Sequence, residues 1–184
     1  GPAIYLISWI HWEEPTGPNA IAKSINILNK LWQKFSIVLI PLCNPLGYFR
    51  NWRYLNKEKY IENSEIEGMS VGDSEHFLID PINKTKPRKE KPANNECLAL
   101  SKYILKINQN YPCLVSFDFH WDILIKKWYL YCQTINHQND KLASKILEIL
   151  EKNEIPIQKE GKTRFGEDII DGKIGQQNDG SIDE

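Results

Sequence analysis

Apolar residues arrive in short continuous runs separated by helical periodicity. "AIYLISWI" (3 to 10) is too uniformly apolar to be half exposed, which predicts a buried strand. From Pro18 the pattern turns helical, with Ile21, Ile25, Leu28, Leu31, Trp32 and Phe35 recurring at spacings of three and four. "SIVLIPLCN" (36 to 44) predicts a second buried strand, ended near Pro41. A polar stretch from about 45 to 95 lacks clear periodicity, and segments of that length are functional or disordered; its first half, "NPLGYFRNWRYLN", is assigned a function. "NECLALSKYILKI" is helical, and "CLVSFDFH" (113 to 120) is a third strand that places Ser116, Asp118 and His120 on one face. "KWYLYCQ" predicts a fourth strand, and "DKLASKILEILEKN" a helix with Leu142, Ile146, Ile149 and Leu150 on its buried stripe. "IPIQ" (155 to 158) reads as a short strand, followed by a glycine-rich loop.

Strands alternating with helices predict an α/β fold with a mixed, mainly parallel sheet flanked by helices. In open sheets of this kind ligands bind beyond the carboxyl ends of the strands, where His11, Asn44 and His120 all fall. The 184 residues suit a single domain. With 23 basic and 24 acidic residues the net charge is -1, which gives no electrostatic footprint for nucleic acid or an acidic membrane surface. No apolar stretch approaches the ~20 residues of a membrane span, and a cytoplasmic location is the default. Cys43, Cys97, Cys113 and Cys132 form no CxxC pair and are expected as buried thiols. The chain opens at the threshold of a strand and stops in "NDGSIDE", so it reads as a fragment of one catalytic domain, incomplete at both ends.

The chemistry centres on "HWEE". His11 and Glu14, with His120, make a two-histidine, one-carboxylate set suited to zinc with a position open for water. Taken alone, His-x-x-Glu fits a surface or capping role as well as a ligand pair. Asn44 suits a turn former. Asp118 suits either a group that orients a ligand or a buried structural hydrogen bond. His76 is not taken as a ligand, and His137 belongs to a polar turn.

Three motifs in order change the balance. "HWEEPTGPNA", "NPLGYFRNWRY" and "FDFH", each at a strand end, together resemble the zinc metallocarboxypeptidases and their succinylglutamate desuccinylase and aspartoacylase relatives. The resemblance extends from residue 3 to 184 and implies a zinc carboxypeptidase-like (phosphorylase/hydrolase-like) fold. It implies His11, Glu14 and His120 as zinc ligands and Arg53 as the group that stabilises the oxyanion, with Arg50 as its nearest rival. Asn51, with an arginine, is expected to hold a substrate carboxylate. The implied activity is hydrolysis of an amide bond, releasing a C-terminal amino acid from a peptide. Hydrolysis of a small N-acyl amino acid on the same zinc, and a peptide-terminus-binding protein without activity, are the alternatives. A purely structural α/β module is the remaining one.

Three positions depart from that pattern. The family has glycine where this chain has Trp12 and favours glycine at Trp9, and glycine beside a ligand allows positive φ and close backbone approach. One explanation covers both: UGA codons written as tryptophan in an organism that reads them as glycine, giving "SGIHGEE". Trp52 and Trp121 are open to the same explanation, whereas Trp32 and Trp128 fit apolar patterns. The "DLNR" motif that grips a terminal carboxylate is missing, so specificity for a free C-terminus stays open. The general-base glutamate has no counterpart in context, Glu160, Glu167 and Glu184 included, and is expected beyond residue 184. Residues 1 to 184 alone should then lose roughly 100 to 10,000-fold in rate.

Overall fold

The computed structural model describes residues 1–11, 14–50, 95–122, 124–132, 137–163 and 165–175, with only the backbone described for Arg50, residues 95–97 and His137. Two compact units divide the chain near Trp121. In the first, β1 (Ala3–Ser8) is the central strand of a parallel three-stranded sheet, flanked by β2 (Ser36–Ile40) and β3 (Cys113–Phe119). Ile7 pairs with Ile40 on one side and with Asp118 on the other, so all three strands end at the same level. All three strands are thus the ones predicted from apolar runs, and the α/β class with a parallel sheet is observed.

The core lies under β1. Ala3, Tyr5, Ile7, Ile10, Val38, Ile40 and Cys43 are buried with Leu100 of α4 (Asn95–Asn110), whose Ile104 and Ile107 pack against them. Each fully buried isoleucine contributes about 1.5–3 kcal/mol. The other end of β1 is tied to the chain entering β3, because Ala3 N donates to Pro112 O at 2.8 Å and Tyr5 Oη to Tyr111 O at 2.8 Å. Burial pushes the Tyr5 phenol up to about 12, so it remains a donor throughout the physiological range.

The helix predicted from Pro18 starts earlier and is interrupted. It forms α1 (Thr16–Lys23) and α2 (Ile25–Trp32), with Ser24 between them outside helical geometry. Gly17 lets α1 sit against the strand ends, since a Cβ there would lie 2.6 Å from Ser8 Cβ and 3.0 Å from Phe119 Cβ. Ile21 is buried as expected, but Ile25, Leu31, Trp32 and Phe35 are exposed, so the apolar stripe meets the core only along α1. Cys43 and Cys132 are buried thiols, while Cys113 is exposed at the start of β3, against expectation, and Cys97 lies outside the described side chains.

The "NPLG" segment closes β2 onto β1. Asn44, fully buried, donates from Nδ2 to Ile10 O at 2.9 Å, and its backbone N donates to Trp9 O at 3.2 Å. Its Oδ1 accepts from Gly47 N at 2.7 Å, capping α3 (Pro45–Arg50), in which Pro45 takes the first helical position. The turn expected from "NP" is therefore a helix cap. A Cβ at position 47 would collide with the Asn44 side-chain amide, which accounts for glycine there.

In the second unit, β4 (Leu130–Tyr131), β5 (Glu160–Lys162), β6 (Asp168–Ile170) and β7 (Lys173–Ile174) form a sheet in the order β4-β7-β6-β5, parallel at β4-β7 and antiparallel elsewhere. The predicted strand "KWYLYCQ" reduces to β4 plus an isolated bridge from Trp128 to Ile157, which is all that forms of "IPIQ". The predicted glycine-rich loop instead contains β5, β6 and β7. Its β6-β7 connection is Asp171-Gly172, both with positive φ (51° and 78°), as a two-residue hairpin turn requires. Helix α5 (Lys141–Lys152) is capped by Asp140, which accepts from Ala143 N at 2.9 Å. It buries Ala143 and Leu147, with Leu142 and Ile149 each 50% exposed, so the buried stripe is rotated from the one predicted. Among the described residues no helix is long and apolar enough to cross a membrane.

Gly47→Ala should destabilise the protein by about 1–3 kcal/mol, because the added methyl must displace a buried, doubly bonded asparagine. Denaturant unfolding checks this; an unchanged midpoint would show that the α3 cap does not hold the end of β2.

Candidate metal centre

The register of the sheet assembles the site. Ser8 pairs with Phe119, so the chain leaving β1 and the chain leaving β3 emerge side by side, with His11 three residues beyond the first and His120 one beyond the second. Glu14 N donates to His11 O at 3.3 Å, a turn that returns the glutamate to the histidine. His11 and Glu14 are 2% and 3% exposed, and the His120 side chain is 26% exposed.

Both imidazoles meet the one carboxylate. His11 Nδ1 lies 2.9 Å from Glu14 Oε1, and His120 Nδ1 lies 3.0 Å from Glu14 Oε2. Trp121 N donates to Glu14 Oε2 at 3.2 Å. The far nitrogen of His120, Nε2, is 3.1 Å from Asp118 Oδ2, while Asp118 Oδ1 is buried without a hydrogen-bond partner among the described residues. The two rings sit with centroids 5.2 Å apart, tilted by 55°.

Charge explains the titration of these groups. Burial alone would raise the Glu14 pKa, but the His11 charge and hydrogen bond, with those of His120, hold it far below the usual carboxylate range. Burial would lower that of His120, yet Asp118 first and Glu14 second hold it well above 6.5. Without a metal, then, both carboxylates favour the imidazolium form of His120. A metal-binding histidine keeps one N–H on a carboxylate and presents the other nitrogen, and the Asp118–His120 pair has that form. Once the protons shared with Glu14 are released, the same donors form a two-nitrogen, one-carboxylate set. Their ligand atoms all lie within 4.8 Å of one another, so His11, Glu14 and His120 can hold a metal ion.

The fold has precedents. It is shared with two solved proteins of Shewanella, each named a "putative metallopeptidase". The structure from Shewanella baltica OS155 matches with a TM-score of 0.70 at 18% identity, covering 98% of this chain and 61% of that one. The one from Shewanella denitrificans OS217 matches with a TM-score of 0.64 at 17% identity, covering 98% of this chain and 59% of the other. The chain thus spans about three-fifths of the length of both. No protein-family model matches the sequence, and no curated protein matches it.

Of the residues singled out from the sequence, the structure brings together His11, Glu14 and His120, and adds Asp118 against His120. Asn51 and Arg53, with the side chain of Arg50, lie outside the described residues, as do Trp12, Trp52 and His76. No sequence signal marks the Trp121 amide that grips Glu14, since any non-proline residue after His120 supplies that N–H.

Two outcomes follow from this geometry. Asp118→Asn should weaken metal binding about 10 to 100-fold while leaving the fold intact, as read by calorimetric titration; unchanged affinity would mean that Asp118 does not orient His120. The pH dependence of metal-free stability has a definite shape. His120, raised, stabilises fully below 6.5, and its contribution fades as pH climbs through its folded value. Glu14, lowered, stabilises fully above 4.5, and its contribution fades as pH falls below that. Metal-free stability should therefore peak between these values and decline toward alkaline pH, while added metal reverses the alkaline decline. A metal-free stability that rises steadily above 6.5 would contradict the imidazolium assignment.

Proposed function

We propose that the protein is a zinc-dependent hydrolase of amide bonds, of the metallopeptidase type, that releases a C-terminal amino acid from a peptide. The observation that carries this reading is the buried Glu14 carboxylate held between two histidine Nδ1 atoms at the ends of adjacent parallel strands. A two-histidine, one-carboxylate set also suits ferrous iron, but two solved proteins of this fold bear metallopeptidase names, which favours hydrolytic zinc. Because the chain spans about three-fifths of the matched structures, the activity is a proposal for the whole protein.

Zinc bound there would supply a Lewis acid for the scissile carbonyl and bring the pKa of a water down toward neutrality. The chain's own residues hold and orient. His11, His120 and Glu14 would hold the metal, with the Trp121 amide fixing the carboxylate. Asp118 keeps the His120 proton on Nε2, leaving Nδ1 as the donor to metal. Arg53 is assigned to the negative charge that develops on the carbonyl oxygen, with Arg50 as the alternative. Asn51 is assigned to the substrate carboxylate. These three roles rest on the sequence resemblance.

In the full-length protein, Glu14→Gln and His120→Ala should each abolish both zinc binding and release of a C-terminal amino acid from a blocked dipeptide. Arg53→Ala should retain zinc and lose about 100 to 1,000-fold in kcat. Hydrolysis that persists in Glu14→Gln contradicts the metal mechanism. Cleavage confined to N-acyl amino acids would shift the substrate to the small-molecule class, and zinc binding without turnover of either substrate would make the protein a binder.

A further inference from the structure

Residue 9 stands between β1 and the turn that carries His11 and Glu14. Its backbone is left-handed, with φ +58°. That region is costly for any residue with a Cβ and a genuine outlier for a bulky one. Two other described non-glycine residues have positive φ, and both have an ordinary local reason. Glu154 follows the C-terminus of α5, and Asp171 sits in the Asp-Gly hairpin turn. Trp9 has neither excuse, since it directly follows a buried strand.

The surroundings dictate the turn. The carbonyl of residue 9 accepts from Asn44 N, and that of residue 10 accepts from Asn44 Nδ2. Ile10 is 1% exposed and His11 2%, so neither neighbour can rotate to relieve residue 9. The indole is only partly buried, packed edge-on to Tyr48 with ring centroids 4.5 Å apart. Trp121, beside His120, is likewise not buried, at 46% exposed.

We propose that residue 9 is the positioning residue that aims His11 into the metal centre, that its backbone is built for glycine, and that its tryptophan stands for a UGA codon read as glycine in the source organism. A glycine at 9 removes the steric penalty and leaves both Asn44 hydrogen bonds intact, because they use only backbone carbonyls. The conformational part stands on the backbone alone; only the effect on zinc rests on the metal reading above.

The experiment has two arms. The mass of the peptide spanning residue 9, taken from protein isolated from the source organism, should show glycine; tryptophan at that position overturns the codon assignment. In recombinant protein, Trp9→Gly, Trp9→Asn and Trp9→Ala are compared, all three having lost the indole. Asparagine tolerates the left-handed region and alanine does not, so Tm should rank Gly and Asn above Ala, with Gly about 2–8 °C above Ala. At a temperature where all are folded, zinc affinity should follow the same order, Gly exceeding Ala about tenfold. Equal or reversed Tm values for Gly and Ala overturn the pivot. Absence of zinc binding in every variant, with the Tm ranking intact, would instead sink the metal reading and leave the pivot standing.

Discussion

A carboxylate 3% exposed to solvent dictates much of the first unit. Taking such a charge out of water costs several kcal/mol unless partners replace the lost hydration. Among the described residues Glu14 has an imidazole on each oxygen and the Trp121 amide. Of these only His11 is local to Glu14, so pairing of β3 with β1, which delivers His120 and Trp121, is part of what makes the buried carboxylate tolerable. The metal-free site therefore depends on the sheet, and a hydrolytic metal would take over the same donors.

The sheet meets this demand through register. Parallel pairing of Ile7 with both Ile40 and Asp118 brings three strand ends to one level, where Asn44, His11 and His120 leave the strands. Asn44 ties the first of these ends to the β2 turn through side-chain and backbone bonds, and the glycine at 47 leaves room for its amide. Gly17 lets α1 close over Ser8 and Phe119 from the other direction. The candidate ligands thus sit on a rigid frame, which is what a preorganised centre requires. Within that frame residue 9 is the point of conflict, where the backbone asks for one residue type and the sequence carries another.

Much of this was legible in the sequence, for identifiable reasons. The three parallel strands are continuous apolar runs, and such runs are what a strand buried on both faces looks like. His11, Glu14 and His120 were found because each follows one of those runs, although spacing alone could not distinguish ligands from a cap. Asp118 was visible as the residue two before His120 on the same strand face, but its contact with Nε2 depends on a ring orientation that no periodicity encodes. The second unit was harder. Strands of two or three residues are too short to show a period, although the Asp171-Gly172 pair was a hairpin signal within a stretch read as loop. The exposed apolar residues of α2 show the opposite limit, for an amphipathic pattern specifies a face and not what covers it.

The central claim, that His11, Glu14 and His120 form a zinc centre, is tested most directly by X-ray absorption at the zinc edge on protein loaded with one equivalent of the metal. The account predicts a first shell of two imidazole nitrogens at about 2.0–2.1 Å with carboxylate oxygen at about 2.0–2.2 Å, and no sulfur. A sulfur shell near 2.3 Å, or a spectrum of hydrated zinc with no imidazole, would contradict it.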